Sequence, residues 1–198
     1  DKVFMKQALM ASNIPVTKFV WFGERFYRNK KEELFKQIDE LQYPLIIKPA
    51  TLGSSIGVEL ITQKEEIDST IERAFQFDSK VIIEEKIEEV IEYNCSVLLT
   101  PNGNITSEIE EIKTSKDIIE YQDKFLTGDD LKDSSIKRTC PAVISEKLRK
   151  EIETYALAVF KMLNMRGTAR IDFLYDTKNK KLYVDEINNI PWCFAHHL

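Results

Sequence analysis

Two acidic residues set to face each other across a hairpin constrain this chain more than any other feature. Residues 166–191 read RGTARIDFLYDTKNKKLYVDEINNIP, two strand-like runs around the polar, basic turn DTKNKK. Side chains alternate along a strand with a period of two. Arg170, Asp172 and Leu174 therefore share one face of the first run, and Leu182, Val184, Glu186 and Asn188 share one face of the second. Folding the hairpin about Asn179 pairs 176 with 182, 174 with 184, 172 with 186 and 170 with 188. Asn179 then takes the left-handed position that a short loop needs. In this register Asp172 stands across from Glu186, and Arg170 across from Asn188. Directly opposed carboxylates repel, and the arrangement makes sense if a cation lies between them. Oxygen ligands from Asp, Glu and Asn on a rigid hairpin suit Mg²⁺, which takes few protein ligands and completes its shell with phosphate and water. The same residues also read as a solvated outer face that carries charges. A slip of one residue would put the two acids on opposite faces.

The 198 residues suffice for one large or two small domains. A formal net charge of −5 gives no general affinity for nucleic acid. No apolar run reaches transmembrane length, so a membrane partner is not expected either. Cys95, Cys140 and Cys193 are odd in number and widely spaced. They form no metal motif and no disulfide framework, which points to a reducing cytoplasm. The two histidines, His196 and His197, sit near the last residue and leave little for a histidine metal site. The chain starts without Met, runs directly into a helix-like pattern and stops soon after the hairpin, which reads as a fragment.

Taken in order, Asp1 caps a helix to about Ser12, and Asn13 stops it. Residues 31–41 place Leu34, Phe35, Ile38 and Leu41 on one helical face. A buried strand then ends in Lys48 and leads through a polar glycine loop to another strand. Thr62 opens a capping box with Glu65, and the helix after it turns Ile67, Ile71, Ala74 and Phe75 inward. Val81–Ile83 is a short strand that delivers Glu84 and Glu85. Strands over 94–99 and 105–112 flank the turn Pro101-Asn102-Gly103-Asn104. Residues 113–140 read as a polar, irregular loop of functional length. Ser145 caps a long helix to about Asn164. The pattern is α+β with mostly antiparallel strands, in two lobes over 1–85 and 86–198 that hold a cofactor between them.

The loop Thr51-Leu52-Gly53-Ser54-Ser55-Ile56-Gly57 can turn backbone N–H groups toward phosphate oxygens. It lacks the Gly-Lys-Ser/Thr of a P-loop and the dinucleotide glycine spacing, and it reads equally as a plain strand connection. Lys48 is either a snorkelling edge residue or a phosphate ligand. Glu84-Glu85-Lys86-Ile87-Glu88, at the junction of the lobes, could read an adenine and a ribose or could be a charged linker.

In this order the pieces resemble one family, the ATP-grasp ligases, and within them the D-alanine–D-alanine ligases. The matching stretches are Asp1-Lys2, IIKPATLGSSIGV at 46–58, VIIEEKIEEVIEYNCSV at 81–97, YQDKF at 121–125, CPA at 140–142, and GTARIDF with DEINNIP. The resemblance implies an ATP-grasp fold and a ligase that joins two D-alanines through an acyl phosphate for peptidoglycan precursor synthesis. It implies that Lys2 and Lys48 bind ATP phosphates and that Gly53, Ser54, Ser55 and Gly57 fold over the triphosphate. Glu85, Lys86 and the backbone near Glu88 would hold adenine, Glu92 the ribose, and Lys124 would close onto the γ-phosphate. Asp172, Glu186 and Asn188 would bind two Mg²⁺ ions, with Mn²⁺ as an alternative, and Arg170 would stabilise charge on the reacting acyl group. A homodimer is a further expectation, and a small substrate lobe would precede Asp1.

Three positions depart from the family pattern. Trp192 stands where a glycine is usual after Pro191, and adds bulk beside the substrates. His197 stands where a serine binds the second substrate's carboxylate. Phe125 follows Lys124 where many members have tyrosine, which removes a hydrogen bond worth roughly 0.5–1.5 kcal/mol of loop closure. These departures leave open a D-alanine–D-lactate type ligase, another carboxylate–amine ligase, or a nucleotide-binding module without turnover.

Overall fold

A computed structural model describes residues 1–114 and 136–189. The described residues divide into two compact units, one of 1–6 and 17–88, the other of 7–16, 89–114 and 136–189. Helix α1 (Lys2–Ala11) contributes its first residues to the first unit and the rest to the second. Asp1 Oδ1 caps it, accepting from the N–H groups of Val3 and Phe4 at 2.9 and 3.1 Å. Asn13 follows in the left-handed region at φ 56°.

The first unit contains β1 (Phe19–Gly23), α2 (Glu24–Asn29), α3 (Lys31–Ile38), β2 (Leu45–Pro49), β3 (Glu59–Ile61), α4 (Ile67–Ala74) and β4 (Lys80–Glu85). The strands form an antiparallel sheet in the order β1-β4-β2-β3. Alternation in β2 explains its layers. Leu45 and Ile47 join Phe22, Val81 and Ile83 in one core with Tyr27, Leu34, Ile38, Ile67, Ile71 and Ala74 from the helices. Fully burying each such aliphatic side chain stabilises the fold by about 1.5–3 kcal/mol. On the other face Ile82 and Ala50 pack with Val3 of α1. Helix α2 had no periodic signal in the sequence reading. The capping box is Gln63 with Glu66 rather than Thr62 with Glu65, and it opens the 3-10 turn Lys64–Glu66 that leads into α4. Glu66 Oε2 accepts from the N–H of Thr62, the Thr62 hydroxyl and the N–H of Gln63.

The second unit contains β5 (Val90–Thr100), β6 (Gly103–Thr106), β7 (Glu110–Thr114), β8 (Ile136–Thr139), α5 (Glu146–Met162), β9 (Thr168–Asp176) and β10 (Lys181–Asn188). The sheet order is β10-β9-β5-β7-β8, and β6 pairs with β5 as well. The single strand expected over 105–112 is thus two, β6 and β7, both on the same long partner. The ends of the expected 113–140 loop belong to β7 and β8. Ser145 Oγ caps α5 by accepting from the N–H of Leu148 at 3.3 Å. The helix buries Ile152, Ala156, Val159 and Phe160, and covers β5, β6 and β9. That leaves the other face of the sheet for polar residues. Every strand pairing among the described residues is antiparallel.

Candidate functional site

The polar face is made by a bulge. In β9 and β10, Lys181 pairs with Asp176, Leu182 with Tyr175, Tyr183 with Leu174 and Val184 with Phe173. The register then shifts between Val184 and Glu186, after which Glu186 pairs with Asp172 and Asn188 with Arg170. The extra residue is Asp185. A bulge turns the chain over by one residue. Leu182 and Val184 therefore face the core with buried Phe173, while Glu186 and Asn188 face the opposite side with Asp172 and Arg170. Strict alternation would put all four of these β10 residues on one face, and the bulge separates them into two pairs. The expected pairs 172 with 186 and 170 with 188 hold because a one-residue difference at the turn and the bulge cancel. The turn lies over 177–180, its left-handed residue is Lys180 at φ 54°, and Asn179 instead donates to Asp176 from its backbone and its side chain.

Antiparallel pairing extends the row across four strands: Glu110, Asn94, Asp172 and Glu186 stand side by side. Glu92 lies on the same face, two residues along β5 from Asn94. Arg170 grips Asp172 with a fork, Nε to Oδ1 at 2.7 Å and Nη2 to Oδ2 at 2.9 Å. The Asn188 amide donates to Asp172 Oδ2 at 3.0 Å. Burial pushes the Asp172 carboxyl up to about 6, against the pull of Arg170, and the Glu186 and Asp185 charges add to the rise. A carboxylate held in low dielectric beside a second carboxylate is a setting that a cation relieves. Among the described residues no group of three or more His, Cys, Asp or Glu converges as a metal site. A cation here would rest on two carboxylates and one amide oxygen, a donor set that fits Mg²⁺ with its remaining shell supplied by phosphate and water. Glu110, Asn94 and Arg138 were not anticipated. Glu110 is buried and accepts from Asn94 Nδ2 at 3.2 Å and Arg138 Nη1 at 3.4 Å.

In the first unit, the Lys2 amino group donates to the Leu52 carbonyl, and the Lys2 N–H donates to the Ala50 carbonyl at 2.8 Å. This docks the start of α1 on the head of the glycine loop. Ser54, Ser55 and Gly57 take φ values of 56°, 60° and 69°. A Cβ at Gly57 would lie 2.8 Å from Pro49 Cγ and 2.9 Å from Phe77 Cδ2, whereas Gly53 has open space. Gly57 is therefore required by both conformation and contact. Lys48 is half-buried and stands 3.5 Å from Glu84 Oε1. Glu85 Oε1 accepts from the N–H of Gln42 at 3.0 Å, the N–H of Lys86 donates to the Pro44 carbonyl at 2.9 Å, and Glu88 is exposed. Lys2, Lys48 and the loop are thus gathered in one unit, and Glu92, Arg170, Asp172, Glu186 and Asn188 on one sheet face of the other. Lys124, Phe125, Trp192 and His197 lie outside the described residues. No helix among the described residues is long and apolar enough to cross a membrane.

Residues 8–196 match the family model described as D-ala D-ala ligase C-terminus. The chain is 41% identical over 198 residues to the D-alanine–D-alanine ligase of Thermosipho africanus, covering 100% of this chain and 52% of that protein. It is 35% identical over 192 residues to that of Borreliella afzelii, covering 96% and 52%. The chain spans about half the length of the curated relatives it matches. Among solved structures, the VanG D-Ala:D-Ser ligase from Enterococcus faecalis superposes with a TM-score of 0.82 at 32% identity, over 100% of this chain and 54% of that one. The D-alanine–D-alanine ligase from Bacillus anthracis superposes with a TM-score of 0.77 at 27% identity, over 100% and 59%.

Proposed function

The chain belongs to the D-ala D-ala ligase C-terminus family, and from that premise we propose that it carries the ATP-binding and charge-stabilising part of a D-alanine–D-alanine ligase. The observation that supports this reading most is the Asp172–Glu186 pairing, with Asn188 and Arg170 beside it on one sheet face. In the reaction, the carboxylate of one D-alanine takes the γ-phosphoryl group of ATP, giving an acyl phosphate and ADP. The amine of a second D-alanine then displaces phosphate to form the amide bond. A carboxylate is a poor electrophile because its leaving group would be oxide, and phosphorylation supplies a better one.

Each residue has a role matched to its chemistry. Lys2 and Lys48 hold phosphate oxygens, and the loop from Gly53 through Ser54 and Ser55 to Gly57 offers backbone N–H groups to them. Glu85, Lys86 and the backbone near Glu88 hold adenine, and Glu92 holds the ribose. Asp172, Glu186 and Asn188 would hold Mg²⁺, two ions or Mn²⁺ in their place, and such ions offset phosphate charge when bound. Arg170 keeps its positive charge because the Asp172 carboxylate outweighs the effect of burial on it, so it can stabilise the developing oxyanion while steering Asp172. Lys124 would reach the γ-phosphate, and closing over the acyl phosphate would exclude water. The setting is the cytoplasm, where ATP is available.

A second reading changes the second substrate. The likeness to a D-Ala:D-Ser ligase, together with Trp192, His197 and Phe125, supports a partner other than D-alanine. Release of ADP by the intact gene product, followed with D-alanine alone, with D-alanine plus D-serine and with D-alanine plus D-lactate, tests both. D-alanine-dependent ADP release supports the ligase. ATP binding with no turnover under any of these mixtures overturns it in favour of a nucleotide-binding module.

A further inference from the structure

The glycine loop of the first unit is gripped at both ends by the turn of residues 77–80, which joins α4 to β4. At the entry, Asp78 Oδ2 accepts from the N–H and the hydroxyl of Thr51, both at 2.8 Å. Asp78 Oδ1 accepts from the N–H of Lys80 at 3.1 Å, which fixes how the carboxylate points. At the exit, the Phe77 ring lies against Gly57, so close that a Cβ there would stand 2.9 Å from Cδ2. The turn is itself secured. The N–H groups of Phe77 and Asp78 donate to the carbonyl of buried Ala74 at 3.0 and 3.3 Å. The Ser79 carbonyl accepts from the N–H of Glu24 at the start of α2, and the Lys80 carbonyl from the N–H of Ala50 just after β2, both at 2.9 Å.

A loop of this shape needs such support. Ser54 and Ser55 take φ values of 56° and 60°, and successive non-glycine residues in the left-handed region persist only where the surroundings hold them. Inside the loop, the N–H of Ile56 donates to the Gly53 carbonyl and the N–H of Val58 to the Ser55 carbonyl, both at 3.2 Å, the long end of the ordinary range. The Thr51 bonds go instead to a carboxylate, which accepts more strongly than a neutral oxygen. Neither Asp78 nor Phe77 has a part in the reading above. We propose that both are positioning residues for the glycine loop. Asp78 anchors its entry through Thr51, and Phe77 is the wall that seats its exit at Gly57. The backbone N–H groups between them are then preset for phosphate oxygens, with less ordering left to occur on binding. This rests on the reading of the loop as a phosphate cover.

The test compares ATP with adenosine, which lacks phosphate, by calorimetry on the intact gene product with Mg²⁺ and without D-alanine. Gly57→Ala displaces the loop directly and serves as the reference: it should weaken ATP and leave adenosine unchanged. Asp78→Ala should weaken ATP by about tenfold, the scale of losing a hydrogen bond to a charged group, with adenosine unchanged. Phe77→Ala should weaken ATP in the same selective way, while Phe77→Leu, which keeps bulk against Gly57, should stay within about twofold of wild type. If Asp78→Ala does not fold, Thr51→Val, on the exposed loop itself, takes its place. It removes the hydroxyl donor and should weaken ATP by about threefold, whereas Thr51→Ser keeps the donor and should match wild type. Equal losses of ATP and adenosine would mark a purely structural role and overturn the proposal. Wild-type ATP affinity in Asp78→Ala, Thr51→Val or Phe77→Ala, with a loss in Gly57→Ala, overturns the positioning role of that residue and leaves the phosphate role of the loop standing. Wild-type ATP affinity in Gly57→Ala overturns that role and the positioning with it.

Discussion

Asp172 must be an anion to hold a cation, yet its surroundings resist the charge. Its carboxyl rises to about 6 by burial, while an unfolded chain leaves aspartate near 3.9. The folded, metal-free protein therefore binds this proton more tightly than the unfolded one. The group's stabilising contribution is full below about pH 4 and is lost as pH rises through about 6. Mg²⁺ held by Asp172, as proposed, would reverse the preference, because it needs the carboxylate. The melting temperature gained on adding Mg²⁺ with ADP should thus be largest near pH 7.5 and shrink as pH falls below 6, and a thermal-shift series across that range checks it. A gain that stays flat down to pH 5 would contradict the role of Asp172. Gly57 makes a separate point at the same scale. With φ at 69° and Pro49 and Phe77 against it, Gly57→Ala should cost about 1–3 kcal/mol in urea unfolding. At Gly53, where nothing crowds a Cβ, alanine should cost far less.

The β9–β10 hairpin carries the most information among the elements. In it, the opposition of Asp172 to Glu186 and of Arg170 to Asn188 was legible from alternation along the two strands. Its bulge was not read, although the apolar positions Leu182, Val184 and Ile187 leave a trace. The step of three from 184 to 187 breaks the period of two, as one extra residue must. The turn was misread because Asn179 is the usual left-handed residue, whereas here its side chain and N–H are taken by Asp176. Long helices were legible from their buried stripes, as in α5. The short α2 was not, since six residues hold too little periodicity. Lys6, Thr17 and Glu84, far apart in sequence, meet in one buried cluster, and no local pattern announces it. Deleting Asp185 should turn Glu186 and Asn188 toward the core side of β10. The expected result is loss of the Mg²⁺ response, seen by titration calorimetry, together with lower stability. Asp185→Gly, which keeps the residue count, should retain the response.

At the scale of the molecule, the α+β class with antiparallel sheets was readable from the alternation of strand and helix patterns, and the family from the order of motifs along the chain. Lys48 stands on the sheet of the first compact unit, and Asp172, Glu186 and Asn188 stand on the sheet of the second. The most direct measurement is Mg²⁺-dependent ADP binding in wild type, Asp172→Asn and Glu186→Gln. Mg²⁺ should tighten ADP in wild type, and each substitution should remove this gain while binding without Mg²⁺ stays close to wild type. Undiminished tightening by Mg²⁺ in both variants would contradict the claim that these two opposed acids hold the ion.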